Sequence, residues 1–356
     1  NMKWFKWAVV TLILIFLAWI ATPRNADEMS YKCSSNAKDL YITSEGEVTD
    51  AIVKLLGLTG IRIEGDSLKV QENWPEPRIY LKSRRLEEVL PLVQGKIAPS
   101  ITWFGGAKKE RWEEDPEKLK LPISQAMEIT KVCFDSLKLG EKTYSTKKPK
   151  AILFLGSTLP SVRQRLAYLN ELYDLKKFSH DLPVYILTGE RKLDEAVGET
   201  HASLMNPDNG IISFRQGWIA SQETILDEGE MINLVFAQSR HKDLHEKNIV
   251  TVYSQKGEGR RATTESTVVQ WLKEYSPSAG YYLAISHQPY NFYQECVIRR
   301  VLLQAGRTDI CVEVVGAGLE MKIKDDNKVI DQAKNLLNNI SRILYELLII
   351  EKSLKK

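Results

Sequence analysis

The pattern of apolar and polar positions divides the chain into three stretches of different character. The first is a run over residues 7–21 in which Thr11 is the one polar side chain, with Lys3 and Lys6 just before it. Counting Trp4 and Phe5, about 18 residues could lie in a bilayer, near the lower end of the roughly 17–25 that a spanning helix needs. A signal peptidase reads small residues at the third and first positions before its cut, and Trp19/Ala21 or Arg24/Ala26 supply only the second. The run therefore reads as an uncleaved signal anchor over residues 1–22, with a cleaved signal peptide or a buried helix as alternatives. Lys3 and Lys6 would stay in the cytoplasm and the remainder would be exported, although Arg24 reduces the asymmetry.

The second stretch is less regular. Residues 23–40 are polar and read as a linker, and 41–149 as an N-terminal extension that packs on the core. Within it, 50–58 has the spacing of a short amphipathic helix. Residues 61–70 read as a strand pair turning at Gly65 and Asp66. Residues 105–120 are dense in charge and suit a solvated loop. Ile123, Met127, Ile129, Val132, Cys133 and Leu137 then recur at helical spacing over 122–139.

From residue 150 to 350 the pattern alternates. Short apolar runs at 151–155, 184–187, 249–253, 281–285 and 310–315 are separated by helical periodicity at 162–175, 224–237, 264–275 and 291–303. Runs that are apolar apart from Thr251 and Glu313 read as strands buried on both faces, which predicts a doubly wound, mostly parallel α/β sheet. A last helix over 328–348 carries a broad stripe from Val329 to Leu347. Covering the sheet is its simplest role, and docking on a membrane surface or a partner is the alternative. The sequon at Asn339 lies on that helix and is read as chance.

Composition adds little to this picture. Hydrophobic residues at 43% and charged residues at 27% are ordinary for a globular chain, and a net charge of +3 over 356 residues indicates no nucleic-acid partner. Cys33, Cys133, Cys296 and Cys311 are scattered without a CxxC pair, so no thiolate metal site is expected. Cys296 and Cys311 could pair in an oxidising space; free buried thiols are the plainer reading.

A doubly wound sheet places ligands outside the carboxyl ends of its strands, so the chemistry is sought there. Gly156 and Ser157 follow the first strand and precede a helix start, where free backbone N–H groups favour an anion, with Arg163 and Arg165 within two turns. Gly189 and Glu190 repeat the arrangement after the second strand, with Arg191 and Lys192 alongside. Lys256, Arg260, Arg261 and Thr263 lead into a later helix, a set suited to phosphate through guanidinium forks and a capping hydroxyl. An ordinary surface loop with a threonine cap is the competing explanation. His287, followed by Gln288, is the histidine best placed for proton transfer, with Glu190 and Glu265 as assisting carboxylates. His241 and His245 share an i, i+4 spacing but lack the carboxylate of a zinc motif, and no metal is assigned. No nucleophile elbow, P-loop or complete dinucleotide fingerprint is present, and no cofactor is indicated.

In their order and spacing these segments resemble the SanA/YdcF/ElyC-type family of bacterial envelope proteins, over residues 150–318. The matching features are Phe154-Leu155-Gly156-Ser157, Arg165-Leu166, Thr188-Gly189-Glu190, Thr263-Thr264-Glu265-Ser266, and Ile285-Ser286-His287-Gln288-Pro289-Tyr290. The resemblance implies a Rossmann-like domain, often behind one membrane anchor on the extracytoplasmic side. It further implies a role in envelope or peptidoglycan-precursor homeostasis and a nucleotide-like or phosphorylated ligand, so the strand-end cleft is expected to take a phosphorylated or otherwise anionic small molecule. The chain departs from the family at Ser266, which stands for an asparagine, at an insertion over 190–222, and after Gln288, where the family's His and Arg are replaced by Pro289 or Tyr290 and Phe292 or Tyr293. Those departures touch the catalytic positions rather than the fold. They motivate a second expectation: a non-catalytic structural or interaction module of an envelope complex, with an envelope protein as partner.

Overall fold

The computed structural model describes residues 36–64, 79–94, 121–179, 181–219, 225–255, 262–321 and 325–355. The predicted anchor at 1–22, most of the linker, the charge-dense loop at 105–120 and the basic pair Arg260 and Arg261 lie outside these residues. Among the described residues no helix is long and apolar enough to cross a membrane. The end of the predicted linker is ordered as a 3₁₀ helix, Asn36–Leu40.

Helix α1 (Asp50–Leu58) buries Ile52, Val53, Leu55, Leu56 and Leu58, as its amphipathic spacing predicts. Strand β1 (Ile61–Ile63) follows it. Strand β1 pairs in parallel with β2 (Ile79–Leu81), while the turn and second strand of the hairpin expected over 61–70 lie outside the described residues. Parallel strands need a crossover longer than a tight turn, so residues 65–78, which include Gly65 and Asp66, connect the two. Helices α2 (Leu86–Val93) and α3 (Ile123–Asp135) complete this part.

The chain then enters the main sheet with β3 (Ile152–Leu155), whose four side chains are all buried. Next come α4 (Leu159–Asp174), β4 (Val184–Gly189), the one-turn α5 (His201–Met205) and α6 (Glu228–Ser239). They are followed by β5 (Ile249–Ser254), α7 (Thr264–Tyr275), β6 (Gly280–His287), α8 (Asn291–Gln304) and β7 (Ile310–Ala317). The five strands lie in the order β5-β4-β3-β6-β7, every pair parallel, with Phe154 opposite Ile186 on one side and Ile285 on the other. Helices α4 and α6 pack on one face and α7 and α8 on the other. The result is a doubly wound, Rossmann-like α/β arrangement. Its direction of winding reverses between β3 and β6, and the crevice at that reversal is where such sheets admit ligands.

The last helix, α9 (Asp326–Leu354), does not cover the sheet. Both faces are already occupied by two helices each, and its stripe, including Leu336, Leu337, Ile340, Ile343 and Leu344, joins the core formed by α1, α2 and α3. Full burial of each such side chain contributes about 1.5–3 kcal/mol. Its other neighbour is α8. The sequon residue Asn339 is 1% exposed and donates to the Pro289 carbonyl at 2.7 Å, so the folded chain hides it.

An ion-pair network ties α9 to the sheet helices. Arg300 of α8 donates to Glu346 of α9 at 2.6 Å and, through both terminal nitrogens, to Glu265 of α7 at 2.9 and 3.2 Å. The hydrogen bond from Arg300, opposed by burial, holds the Glu265 carboxyl below its ordinary range. A carboxyl lowered in the fold stabilises it above the unfolded value of about 4.3, and that contribution is lost as pH falls through the lowered value. Because the Glu265 side chain is 51% exposed, the pair is screened and the effect small. The urea midpoint is expected to fall on acidification below about pH 4, less so in Glu265→Gln and at high salt. Identical acid limits for Glu265→Gln and the unaltered chain would argue against this role.

Cys133 and Cys296 are buried free thiols, and burial pushes both thiols up, so they act as apolar core residues. Cys311 is disulfide-bonded, and since Cys296 is free, a Cys296–Cys311 bridge does not form.

Candidate functional site

At the carboxyl end of β3 the chain turns sharply into α4, and the turn needs glycine. A Cβ on Gly156 would lie 2.1 Å from Glu228 Oε1 and 2.9 Å from the Leu187 carbonyl. Thr158 precedes α4 without capping it through its side chain. Glu199, brought back by the insertion, takes that place: its carboxylate accepts from the Leu159 amide at 3.1 Å and from the Asp194 amide at 2.9 Å. Arg191, just past β4, grips the same carboxylate with two bonds of 2.7 Å and donates through Nε to Glu228 Oε2 at 2.6 Å. Burial works against the Arg191 charge, but the hydrogen bonds of Glu199 and Glu228 outweigh it and hold the guanidinium protonated. The N-terminus of α4, expected to attract a ligand anion, therefore already holds an anion of the chain itself.

The other half of the rim joins α4 to β6. Arg165, 1% exposed, donates through one terminal nitrogen to the Leu155 and Gly156 carbonyls, both at 2.7 Å, and through Nε to His287 Nδ1 at 3.1 Å. Among the described residues it makes no ion pair. Burial pulls its guanidinium down to about 9, with the charge of Glu228 acting in the opposite sense. The second ring nitrogen of His287 lies 3.4 Å from Ser161 Oγ, and the Tyr290 ring stands edge-on to the imidazole at 5.2 Å. Ser161 and Arg165 are four residues apart, so one face of α4 presents both to the end of β6.

Of the residues expected from the sequence, Gly156, Ser157, Arg165 and His287 meet at the reversal point between β3 and β6. Ser157 contributes its carbonyl, which accepts from Arg191 at 3.3 Å. Gly189 serves close packing at the end of β4, where a Cβ would fall 2.1 Å from that of Ala262. Glu190 is exposed beside it. Three others point elsewhere. Glu265 is turned to Arg300 in the opposite layer and does not reach His287. Thr263 is a helix cap, accepting from the Ser266 amide while Ser266 Oγ accepts from the Thr263 amide. Gln288 Nε2 donates to the Glu141 carbonyl at 2.9 Å, tying the turn after β6 to the segment that follows α3. Arg260 and Arg261 lie outside the described residues. His241 bonds Asp174 at 2.9 Å and stacks on Tyr173, an arrangement of surface packing.

Ser161, Glu199 and Glu228 were not anticipated. Ser161 had a readable signal in its i, i+4 relation to Arg165; Glu199 and Glu228 had none, since their partners come from other loops. No family model, curated protein or solved structure matches the chain.

Proposed function

We propose that this chain is a membrane-tethered, extracytoplasmic α/β protein of the SanA/YdcF/ElyC type that binds a phosphorylated or otherwise anionic small molecule between the ends of β3 and β6. The observation that carries the reading is Arg165. A guanidinium buried at the reversal point and held by two carbonyls and an imidazole is costly when no carboxylate among the described residues bonds it directly, and the nearby charge of Glu228 offsets that cost only in part. A bound oxyanion would offset that cost, and Ser161 and His287 stand beside it as further polar contacts. Titration with inorganic phosphate tests the reading. Arg165→Lys, which loses the contact that positions His287, and His287→Gln, confirmed folded by circular dichroism, are each expected to weaken binding about tenfold, or about 1.4 kcal/mol. The affinity should also fall as salt rises. Affinity unchanged in both variants would refute the site.

A second reading is a non-catalytic interaction module in an envelope complex. Glu199 favours it, because this carboxylate closes the α4 terminus and, with Glu228, balances the charges of Arg191 and Arg165. Absence of oxyanion binding, together with a stoichiometric partner recovered from solubilised membranes, would select this alternative.

A further inference from the structure

The contact between Arg165 and His287 has a chemical direction. Guanidinium Nε carries a proton and cannot accept a hydrogen bond. With Arg165 Nε 3.1 Å from His287 Nδ1, the imidazole nitrogen must be the acceptor. A neutral imidazole has one proton, so it sits on Nε2, the nitrogen that faces Ser161 Oγ at 3.4 Å. Arg165 cannot easily rotate to release Nδ1. Its other arm is bonded to the carbonyls of Leu155 and Gly156, the last backbone groups of β3 and the first of the turn, and the side chain is fully enclosed.

We propose that Arg165 is a positioning residue that fixes His287 in its Nε2–H form, making the rim between β3 and β6 a hydrogen-bond donor site for ligand oxygen rather than a site of proton abstraction. An imidazole whose Nδ1 is engaged and whose Nε2 is protonated has no lone pair to offer a water or hydroxyl at the rim. It recognises an acceptor, such as a phosphoryl or carboxylate oxygen. The biological use of this arrangement rests on the ligand reading above; the tautomer itself does not.

The full-length chain, labelled at its histidine ring nitrogens, tests the proposal by two-bond proton–nitrogen correlation spectra at neutral pH, with His287 assigned from its loss in His287→Gln. The expected result is a His287 ring with a bare Nδ1 and a protonated Nε2. In Arg165→Met the ring should relax to an averaged mixture of both tautomers. A protonated Nδ1, or an averaged pattern in the unaltered chain, overturns the proposal, as does a pattern unmoved by Arg165→Met. Should that variant fail to fold, the spectrum of the unaltered chain decides alone. Adding inorganic phosphate to the same sample separates the two claims. A fixed Nε2–H ring that phosphate leaves untouched keeps this proposal and removes the ligand reading, whereas phosphate binding to a ring of the other tautomer does the reverse.

Discussion

Replacing Arg191 with methionine is expected to cost about 3–5 kcal/mol of folding stability, because it removes the cation from a buried carboxylate. The Glu199 side chain is 0% exposed and that of Arg191 8%. Without the guanidinium, Glu199 keeps only the amides of Leu159 and Asp194, too few donors to replace water around a full negative charge. The same change withdraws Nε from Glu228. Against a total stability of about 5–15 kcal/mol for a typical domain, the loss is large enough to lower the yield of folded protein. Glu199→Gln is the milder counterpart, since the amide oxygen can still accept at the α4 terminus and Arg191 retains Glu228. Its expected cost is about 1–3 kcal/mol. Urea denaturation of both variants provides the measurement. An Arg191→Met chain within 1 kcal/mol of the parent, roughly the value of an exposed pair, would mean that the network is solvated and structurally idle.

Arg300→Met is expected to be comparably damaging, for a related reason in a different place. Glu346 is 6% exposed, burial raises its carboxyl against the pull of Arg300, and Arg300 Nε is its nearest donor at 2.6 Å. Removing that donor leaves a carboxylate between α8 and α9, with a penalty of about 3–5 kcal/mol. Glu265 behaves differently, because its exposed side chain can turn to water. Adding Glu346→Leu to Arg300→Met should restore most of the loss, since a buried pair replaced by apolar groups of similar volume is often neutral. The double-mutant cycle reads this directly. Amide exchange in α9 should accelerate in the single variant and recover in the double one. If the double variant is no better than the single one, the damage is lost packing of the arginine stem rather than a stranded charge.

These two networks also mark where reading the sequence stops. The apolar runs of β3 to β7 and the helical spacing between them were legible, because strands covered on both faces are apolar at most positions. Gly156 was legible as a turn residue, though not the Leu187 carbonyl and the Glu228 carboxylate that crowd it. The richest-looking segment, around Thr263 and Glu265, resolved in its described part into a helix cap and an ion pair. Hydroxyls and charges before a helix have the same composition whether they bind a ligand or cap the helix, and only their neighbours distinguish the two.

By itself the sequence determined the alternation of elements, the parallel α/β class and the identity of the strand-end loops, since local periodicity records how much of each side chain is buried. It did not determine against what. The parallel partner of β1, the attachment of α9 to α1, α2 and α3 in place of the sheet, the closing of the α4 terminus by Glu199, and the contact of Arg165 with a histidine 122 residues away were all decided by the tertiary structure. Each is a choice among chemically equivalent partners, made by which surfaces the packed sheet brings within hydrogen-bond reach.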